Sequence, residues 1–174
     1  MKGAIVKALE ETIEERHGEE TWETVLETAG VSDDLSFVLA SSDVDDDVVV
    51  DLFEATAETL DVSMQAVADE FGSHWVTEFA PEMYGAYFKD PDSAREMLER
   101  MDDVHDKVTR RIDNANPPDF EIQERDDDSV VMEYDSDRDL VEIMLGAARG
   151  VGEYYGEDVD VRRLGSDRAR IDFE

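Results

Sequence analysis

The sequence predicts an α+β fold in which a helical N-terminal lobe is followed by a small antiparallel β-sheet with one helix. Apolar residues recur at helical spacing through the first two thirds of the chain, and the period changes to two after the prolines at 117 and 118. Near the C-terminus, two short alternating segments flank turn residues. With 174 residues, the chain is long enough for one domain, and we expect a single domain over residues 1–174.

Four amphipathic helices are predicted at the start of the chain. The first covers residues 3–16, and the second covers Thr21–Ala29 with Gly30 as its C-terminal stop. The third follows the acidic segment 41–47, whose carboxylates suit the positive end of a helix dipole. This segment lacks the glycine and the closing glutamate of an EF-hand, so we interpret it as a helix start. Ser63 is the predicted N-cap of the fourth helix.

An aromatic segment at 73–88 indicates either core or the wall of a pocket. Pro91 and the capping box formed by Ser93 and Glu96 then predict the start of one further helix, which must end before the prolines. His105 lies on its apolar side. The full apolar stripe consists of Ala94, Met97, Leu98, Met101, Val104, His105, Val108 and Ile112.

The C-terminal part predicts two hairpins with a helix between them. Residues 120–134 alternate around a turn at the aspartates 126–128. Apolar residues at helical spacing then run from Leu140 to Tyr154. Two short strands around the Gly-Ser-Asp sequence at 165–167 complete the predicted sheet.

The composition is strongly acidic, with 48 Asp and Glu against 16 Lys and Arg and a formal net charge of −32. At molar salt the Debye length falls to about 3 Å and screens most of this repulsion, so the composition indicates a halophilic protein of a salty cytoplasm. A surface selected for a cationic partner is the alternative. Nucleic-acid binding is not expected, because no basic face exists to neutralise phosphates.

The sequence also excludes several kinds of site. It contains no cysteine, so disulfides, thiolate metal sites and cysteine nucleophiles are absent. The N-terminal segment does not have the form of a signal peptide, and no apolar run approaches the roughly 18 residues needed to span a bilayer. We therefore expect a cytoplasmic protein without membrane contact.

His105 has two interpretations. A lone histidine on an apolar stripe is usually a core residue that makes one hydrogen bond. The alternative is metal ligation by a neutral, desolvated imidazole. No second histidine, cysteine or carboxylate pair lies on the same stripe, so a metal here would bring most of its own ligands, as haem does.

A second candidate site is the sequence YDSDR at 134–138. In an extended strand, Tyr134, Ser136 and Arg138 would project from one face, because alternate side chains point the same way. A phenol, a hydroxyl and a guanidinium form a site for carboxylates. The alternative, equally supported by the residues, is a strand end at which the arginine pairs with local aspartates.

Together these segments resemble the haem nitric oxide/oxygen-binding (H-NOX) family, which is related to the haem domain of soluble guanylate cyclase. The Tyr-x-Ser-x-Arg motif after a helical histidine is the specific part of this resemblance. The matching segments are MKGAIV at 1–6, DVDDD at 43–47, MDDVH at 101–105, NPP at 116–118, YDSDR at 134–138 and LGAARG at 145–150.

The resemblance implies a non-covalent haem b between two lobes, with residues 1–63 as distal helices and 64–174 as the proximal lobe. It implies that His105 is the only protein ligand of the iron, and that Tyr134, Ser136 and Arg138 bind the two propionates. Pro118 would pack against the haem and help to distort it. The expected distal contacts are Ile5, Leu9, Trp75, Phe79, Ile143 and Ala147.

The distal side implies which gas binds. Relatives that bind oxygen stably carry a tyrosine at the position that matches Ile143 in an ungapped alignment, and only Trp75 of the distal set offers a donor. A hydrogen bond to oxygen contributes about 0.5–1.5 kcal/mol net. The resemblance therefore implies a five-coordinate ferrous haem that binds NO and CO and does not hold oxygen. An oxygen sensor and a haem-free structural or interaction domain of the same fold are the alternatives.

The resemblance further implies a sensor and not an enzyme. Binding of NO would weaken the bond between iron and His105, the haem would relax, and the helix that carries His105 would shift. The output would pass to a separate signalling protein such as a histidine kinase or a cyclic-dinucleotide enzyme. The apolar distal positions offer no general acid or base for catalysis.

Overall fold

The computed structural model describes residues 3–31, 35, 38–110, 117–136 and 140–174. It confirms the α+β prediction, with helices followed by a four-stranded antiparallel sheet. The elements are α1 Gly3–His17, α2 Glu19–Thr28, α3 Asp46–Leu60, α4 Met64–His74, a π-helical turn Trp75–Phe79, α5 Ala80–Lys89, α6 Ala94–Glu99, α7 Met101–Thr109, β1 Asp119–Arg125, β2 Ser129–Asp135, α8 Val141–Tyr155, β3 Val159–Arg163 and β4 Arg168–Phe173.

Both predicted hairpins are confirmed. The strand order is β1-β2-β4-β3, so the central pair β2 and β4 joins the two hairpins into one sheet. Phe120 lies opposite Tyr134, and Val130 lies between Arg125 and Ile171. The β1–β2 register shifts between Ile122 and Glu124, which is a local irregularity of the kind made by a β-bulge.

Two hydrophobic clusters form the core. The first lies among α1 to α4, and the second lies among the π-helical turn, α5, α6, α8 and the sheet. Trp75 packs against both clusters, and so does α8, through Met144 in the second cluster and Ile143 against the first. Since Val67 and Phe71 of α4 belong to the first cluster, α4 packs with the helices that precede it. The division at residues 63 and 64 stays a prediction.

Helices α4 and α8 pack with their backbones in contact, which glycine allows. A Cβ atom added at Gly146 would lie 2.0 Å from the Ala68 carbonyl oxygen, and one at Gly72 would lie 2.2 Å from the Gly146 carbonyl carbon. A Cβ at Gly150 would lie 2.5 Å from the Gly72 oxygen. Because these distances are below any real Cβ contact, glycine is required at this crossing.

The predicted N-caps are present. The Ser63 hydroxyl accepts from the backbone N–H of Ala66 at 3.2 Å, and the Ser93 hydroxyl accepts from that of Glu96 at 3.1 Å. The Glu96 carboxylate accepts from the N–H of Asp92, one residue before the position expected in a capping box.

The prediction of one helix from Ala94 to the prolines is wrong, because the chain leaves helical geometry at Arg100, with φ −103° and ψ 3°. This break lets α6 pack on α8 while α7 turns toward β1. Side chains hold the break, since the Arg100 guanidinium pairs with Asp90 and with Glu96. Ile112, the last residue of the predicted stripe, lies outside the described residues. None of the described helices is long and apolar enough to cross a membrane.

Candidate functional site

A largely apolar cavity of about 350 Å³ is lined by residues of both hydrophobic clusters. Its volume is in the range of about 300–1,000 Å³ that is typical of small-molecule pockets. Ile5 of α1 and Phe71 of α4 contribute from the first cluster, and Val76 and Met144 contribute from the second. The cavity therefore lies where the two parts of the fold meet.

Helix α7 forms one wall of this cavity. Among the helices that the structure describes, it alone has no fully buried residue, although its apolar residues share one face. That face lines the cavity through Met101, Val104, His105 and Val108. These side chains are half-buried because they face an open space instead of other side chains. A large apolar surface of this kind indicates an apolar occupant.

His105 is the titratable group of this wall. Its Nδ1 atom is buried and makes no hydrogen bond of regular geometry among the described residues, and its ring packs edge-on against Phe120, with centroids 5.0 Å apart. Burial lowers the pKa of His105, whereas the Pro118 backbone carbonyl and the Asp102 carboxylate act in the opposite direction. The lowered pKa keeps the imidazole neutral at pH 7, which is the form that binds metals.

The Tyr-x-Ser-x-Arg segment is only partly described. Tyr134 is 7% exposed and lines the cavity, and its ring lies 5.8 Å from that of Phe120. Strand β2 ends at Asp135, so Ser136 follows the strand, is half-buried, and is not among the lining residues. Arg138 lies outside the described residues. The Phe120 ring therefore connects His105 with the first residue of this segment.

The other predicted site residues fall into two groups. Leu9 is fully buried in the first hydrophobic cluster, one helical turn beyond Ile5. Phe79 does not line the cavity, but its ring stacks on that of Trp75, which does, with centroids 5.2 Å apart. The predicted residues that do line the cavity are Ile5, Trp75, His105, Pro118, Tyr134, Ile143 and Ala147.

Three polar lining residues were not predicted: Tyr84, Ser41 and Thr109, whose hydroxyl donates to the His105 carbonyl oxygen at 2.7 Å. Tyr84 belongs to the aromatic segment, and it also borders Lys107 and Val108, which places it beside α7. Burial raises the pKa of its phenol. Ser41 carries no signal in the sequence, because its loop is positioned by long-range hydrogen bonds such as that from the Gly3 N–H to the Ser42 carbonyl at 2.8 Å.

The remaining histidines lie outside the cavity wall. His17 is exposed, and its Nε2 atom lies 2.8 Å from a Glu70 carboxylate oxygen. His74 is buried and faces three glutamates of α1 and the π-helical turn. Its side chain therefore does not reach the cavity that Trp75 lines.

The residues present fit a haem. The cavity wall is largely apolar, as a porphyrin requires, and it contains the imidazole of His105, which burial keeps neutral. A single histidine without further protein ligands is sufficient for a metal that brings a macrocycle with it.

Comparisons with known proteins agree with this description. Residues 2–163 match the Haem-NO-binding family. A Cs H-NOX variant that carries 4-cyano-L-phenylalanine is 25% identical, with a TM-score of 0.84 over 100% of this chain and 97% of that chain. An oxygen-binding H-NOX domain related to soluble guanylate cyclases, solved as its oxygen complex, is 25% identical, with a TM-score of 0.81 over 100% and 95%.

A third structure supports the fold. It is an unliganded Fe(II) H-NOX variant from K. algicida, which is 18% identical and has a TM-score of 0.87 over 100% of this chain and 97% of that chain. The family match spans nearly the whole chain, and the cavity carries the histidine that such a cofactor requires. The chain therefore belongs to the Haem-NO-binding (H-NOX) family of haem-based gas sensors.

Proposed function

We propose that this protein senses gas through a non-covalently bound haem b, binds NO and CO at a five-coordinate ferrous iron, and signals to a separate protein. The observation that carries the proposal is the neutral imidazole of His105, the only histidine among the described residues that line this apolar cavity. His105 is then the single protein ligand of the iron. When bound, the haem supplies the coordination position for a diatomic gas.

The acidic groups of the cofactor require cationic or donor side chains. In this proposal Tyr134, Ser136 and Arg138 bind the two propionates. The position of Tyr134 in the cavity wall, two ring contacts away from His105 through Phe120, supports this assignment. In a chain with a net charge of −32, such donors also offset the repulsion between the protein and two further carboxylates.

The preference for NO and CO over oxygen follows from the wall that Ile5, Ile143 and Ala147 form. Their side chains donate no hydrogen bond, and Trp75 is the only donor among the predicted distal residues that line the cavity. Oxygen gains much of its retention from a donor, whereas NO binds ferrous iron strongly without one. The same wall carries no carboxylate or imidazole within the described residues, which supports a sensor without general acid–base catalysis.

The signal would leave through α7. His105 packs on Phe120 of β1, and the Asp102 carboxylate of α7 accepts from the Phe120 backbone N–H at 3.1 Å. Two contacts therefore connect α7 to the sheet, so a displacement of the His105 side chain would be passed on to β1. Pro118 lies directly before β1 and lines the cavity, where it would pack against the haem. A separate partner such as a histidine kinase is proposed by family analogy alone.

The visible spectrum of the purified ferrous protein tests the proposal. We expect a Soret band typical of a five-coordinate histidine-ligated haem, which shifts on addition of NO or CO. His105→Gly should lose this spectrum and regain it when imidazole is added, because free imidazole replaces the deleted ring. His17→Gly removes an exposed histidine and serves as the matched control.

Two results would contradict the assignment. One is the absence of a Soret band after haem supplementation, which would favour a haem-free domain of the same fold. The other is a Soret band that is unchanged in His105→Gly without added imidazole. A stable oxygen complex in air would contradict the gas preference alone and would identify an oxygen sensor.

A further inference from the structure

Helix α1, the end of α4 and the π-helical turn bring a histidine and three glutamates together outside the cavity wall. His74, the last residue of α4, and Glu78 of the π-helical turn are spaced by four residues, and they face Glu11 and Glu15, which have the same spacing on α1. His74 Nδ1 lies 3.6 Å from Glu15 Oε2 and 3.9 Å from Glu78 Oε1. His74 Nε2 lies 3.6 Å from Glu11 Oε2.

The histidine of this cluster is buried without a hydrogen bond. His74 is only 2% exposed, and all three carboxylates lie beyond hydrogen-bond distance of its ring nitrogens, at 3.6 Å or more. Buried imidazoles are nearly always paired, so a ring whose Nδ1 faces two carboxylates without a hydrogen bond points to a cation between them. Within the described part of the chain, no lysine or arginine pairs with Glu11, Glu15 or Glu78 to neutralise their charge.

The distances suit ligands that share a cation. They exceed the hydrogen-bond range, in which nitrogen and oxygen approach to about 2.7–3.2 Å. Two ligand atoms that each lie about 2.1 Å from a tetrahedral metal ion are separated by about 3.4 Å. The ligand atoms of Glu15, His74 and Glu78 all lie within 4.8 Å of one another, so a small movement of the exposed glutamates would close the site around one ion.

We propose that His74 Nδ1 and the carboxylates of Glu15 and Glu78 bind a divalent transition-metal cation, for which Zn²⁺ is the probe. One imidazole nitrogen with two carboxylates suits Zn²⁺ better than Mg²⁺ or Ca²⁺, which prefer oxygen ligands alone. Glu11 completes the arrangement from the other side of the ring. Metal-ligating histidines usually donate their second N–H to a carboxylate, and Glu11 lies opposite that nitrogen.

A metal ion at this site would fix the position of α1 relative to the end of α4 and the π-helical turn. Such turns are frequent at functional sites. The next residue after His74 is Trp75, which lines the cavity and packs on both hydrophobic clusters. None of the four side chains lines the cavity, so the metal site does not depend on the proposed haem function.

Calorimetric titration of the haem-loaded protein with Zn²⁺, in a large excess of Mg²⁺, tests the proposal. The Mg²⁺ occupies the acidic surface non-specifically. The heat that still appears on addition of Zn²⁺ therefore reports a site that selects Zn²⁺ over Mg²⁺. We expect one Zn²⁺ per chain. Glu15→Gln/Glu78→Gln should lower the affinity at least tenfold, because it removes two anionic ligands and preserves side-chain size.

The matched control is Glu23→Gln/Glu27→Gln, which removes the same charge from two exposed glutamates with the same spacing on α2. It should bind Zn²⁺ as the parent protein does. His74→Ala should abolish Zn²⁺ binding. If that variant fails to fold, the difference in Zn²⁺ affinity between the two double variants tests the proposal alone. Heat that does not saturate, unchanged binding by Glu15→Gln/Glu78→Gln, or an equal loss in both double variants would overturn the proposal.

Discussion

The His105 imidazole lies between an apolar cavity and the Phe120 ring, and this environment lowers its pKa. An exposed histidine is partly protonated near neutral pH and competes poorly for metals. Burial removes that competition, so the ring is ready to bind a metal in its neutral form. A single residue in this setting is sufficient for a cofactor that supplies its own remaining ligands.

The gas preference can be tested at Ile143, which lines the cavity. Ile143→Tyr should place a hydroxyl near a bound gas and raise oxygen affinity. A hydrogen bond of about 0.5–1.5 kcal/mol corresponds to roughly a 2- to 13-fold gain. Ile143→Phe has the same ring without the donor and is the matched control. Oxygen titrations of the two ferrous variants compare them directly, and equal affinities would contradict a role for the missing donor.

Individual wall residues could be predicted only where a motif or the alignment with the family identifies them. Pro118 and Tyr134 belong to short patterns that can be recognised in the sequence, and both line the cavity. Leu9 shares the apolar face of α1 with Ile5, and the pattern cannot show that it packs into the core one turn further on. Ser41 is brought to the wall by a loop whose position depends on hydrogen bonds to α1.

At the scale of elements, helix starts were easier to predict than interruptions. Ser63 and Ser93 cap their helices as predicted, since a cap depends on two residues three apart. The break at Arg100 leaves no local trace, because neither glycine nor proline stands there and the apolar stripe continues through it. It results from tertiary packing, as α6 contacts α8 and α7 contacts β1. The π-helical turn was not predicted either.

The crossing of α4 and α8 joins the two hydrophobic clusters, and it can be tested at Gly146. Gly146→Ala should lower the free energy of unfolding by about 1–3 kcal/mol, because the new Cβ would meet the Ala68 carbonyl oxygen at 2.0 Å. Gly85→Ala is the control, since nothing lies within 4 Å of its Cβ position in α5. Thermal unfolding of both variants measures the difference.

Gly85→Ala itself should stabilise the protein by about 0.5–1 kcal/mol, because alanine loses less conformational entropy than glycine when a helix forms. A Gly146→Ala variant that unfolds at the temperature of the parent protein would show that α4 and α8 can separate without cost. That result would remove the reason for glycine at this position in the LGAARG segment.

At the scale of the whole molecule, acidic side chains surround the two hydrophobic clusters, and the arginines are widely engaged with them. Arg95 pairs with Glu99, Arg163 pairs with Glu142, and Arg149 joins α8 to Asp69 of α4. All 16 Lys and Arg offset only part of the 48 Asp and Glu charges, and a net charge of −32 remains. The remaining repulsion acts on the folded chain as a whole.

The stability of the protein should therefore rise with salt. Between about 0.1 M and 1 M salt the Debye length falls from about 10 Å to about 3 Å, which removes most of the repulsion between surface carboxylates. A gain of about 1 kcal/mol raises Tm by about 2–4 °C in a protein of this size. Thermal unfolding in increasing NaCl measures the effect, with sucrose as an uncharged control. A Tm that does not increase would contradict an adaptation to salt.

The overall architecture could be predicted because it depends on periodicity, which the sequence carries throughout. The change from period 3.6 to period two after the prolines predicts both the helical part and the hairpins, and the α+β fold class is confirmed. The way in which the two parts enclose a cavity depends on distant packing, such as that of Trp75 with both clusters. Neither composition nor spacing contains that information.

The half-buried face of α7 has a consequence for the order in which the molecule assembles. A helix of nine residues that buries none of them completely gains little from contacts within the chain. It would be the last element to form, and haem would act as its packing partner. Backbone amides of α7 should exchange with deuterium faster in the haem-free protein than in the loaded one, while those of α4 and α8 remain protected in both.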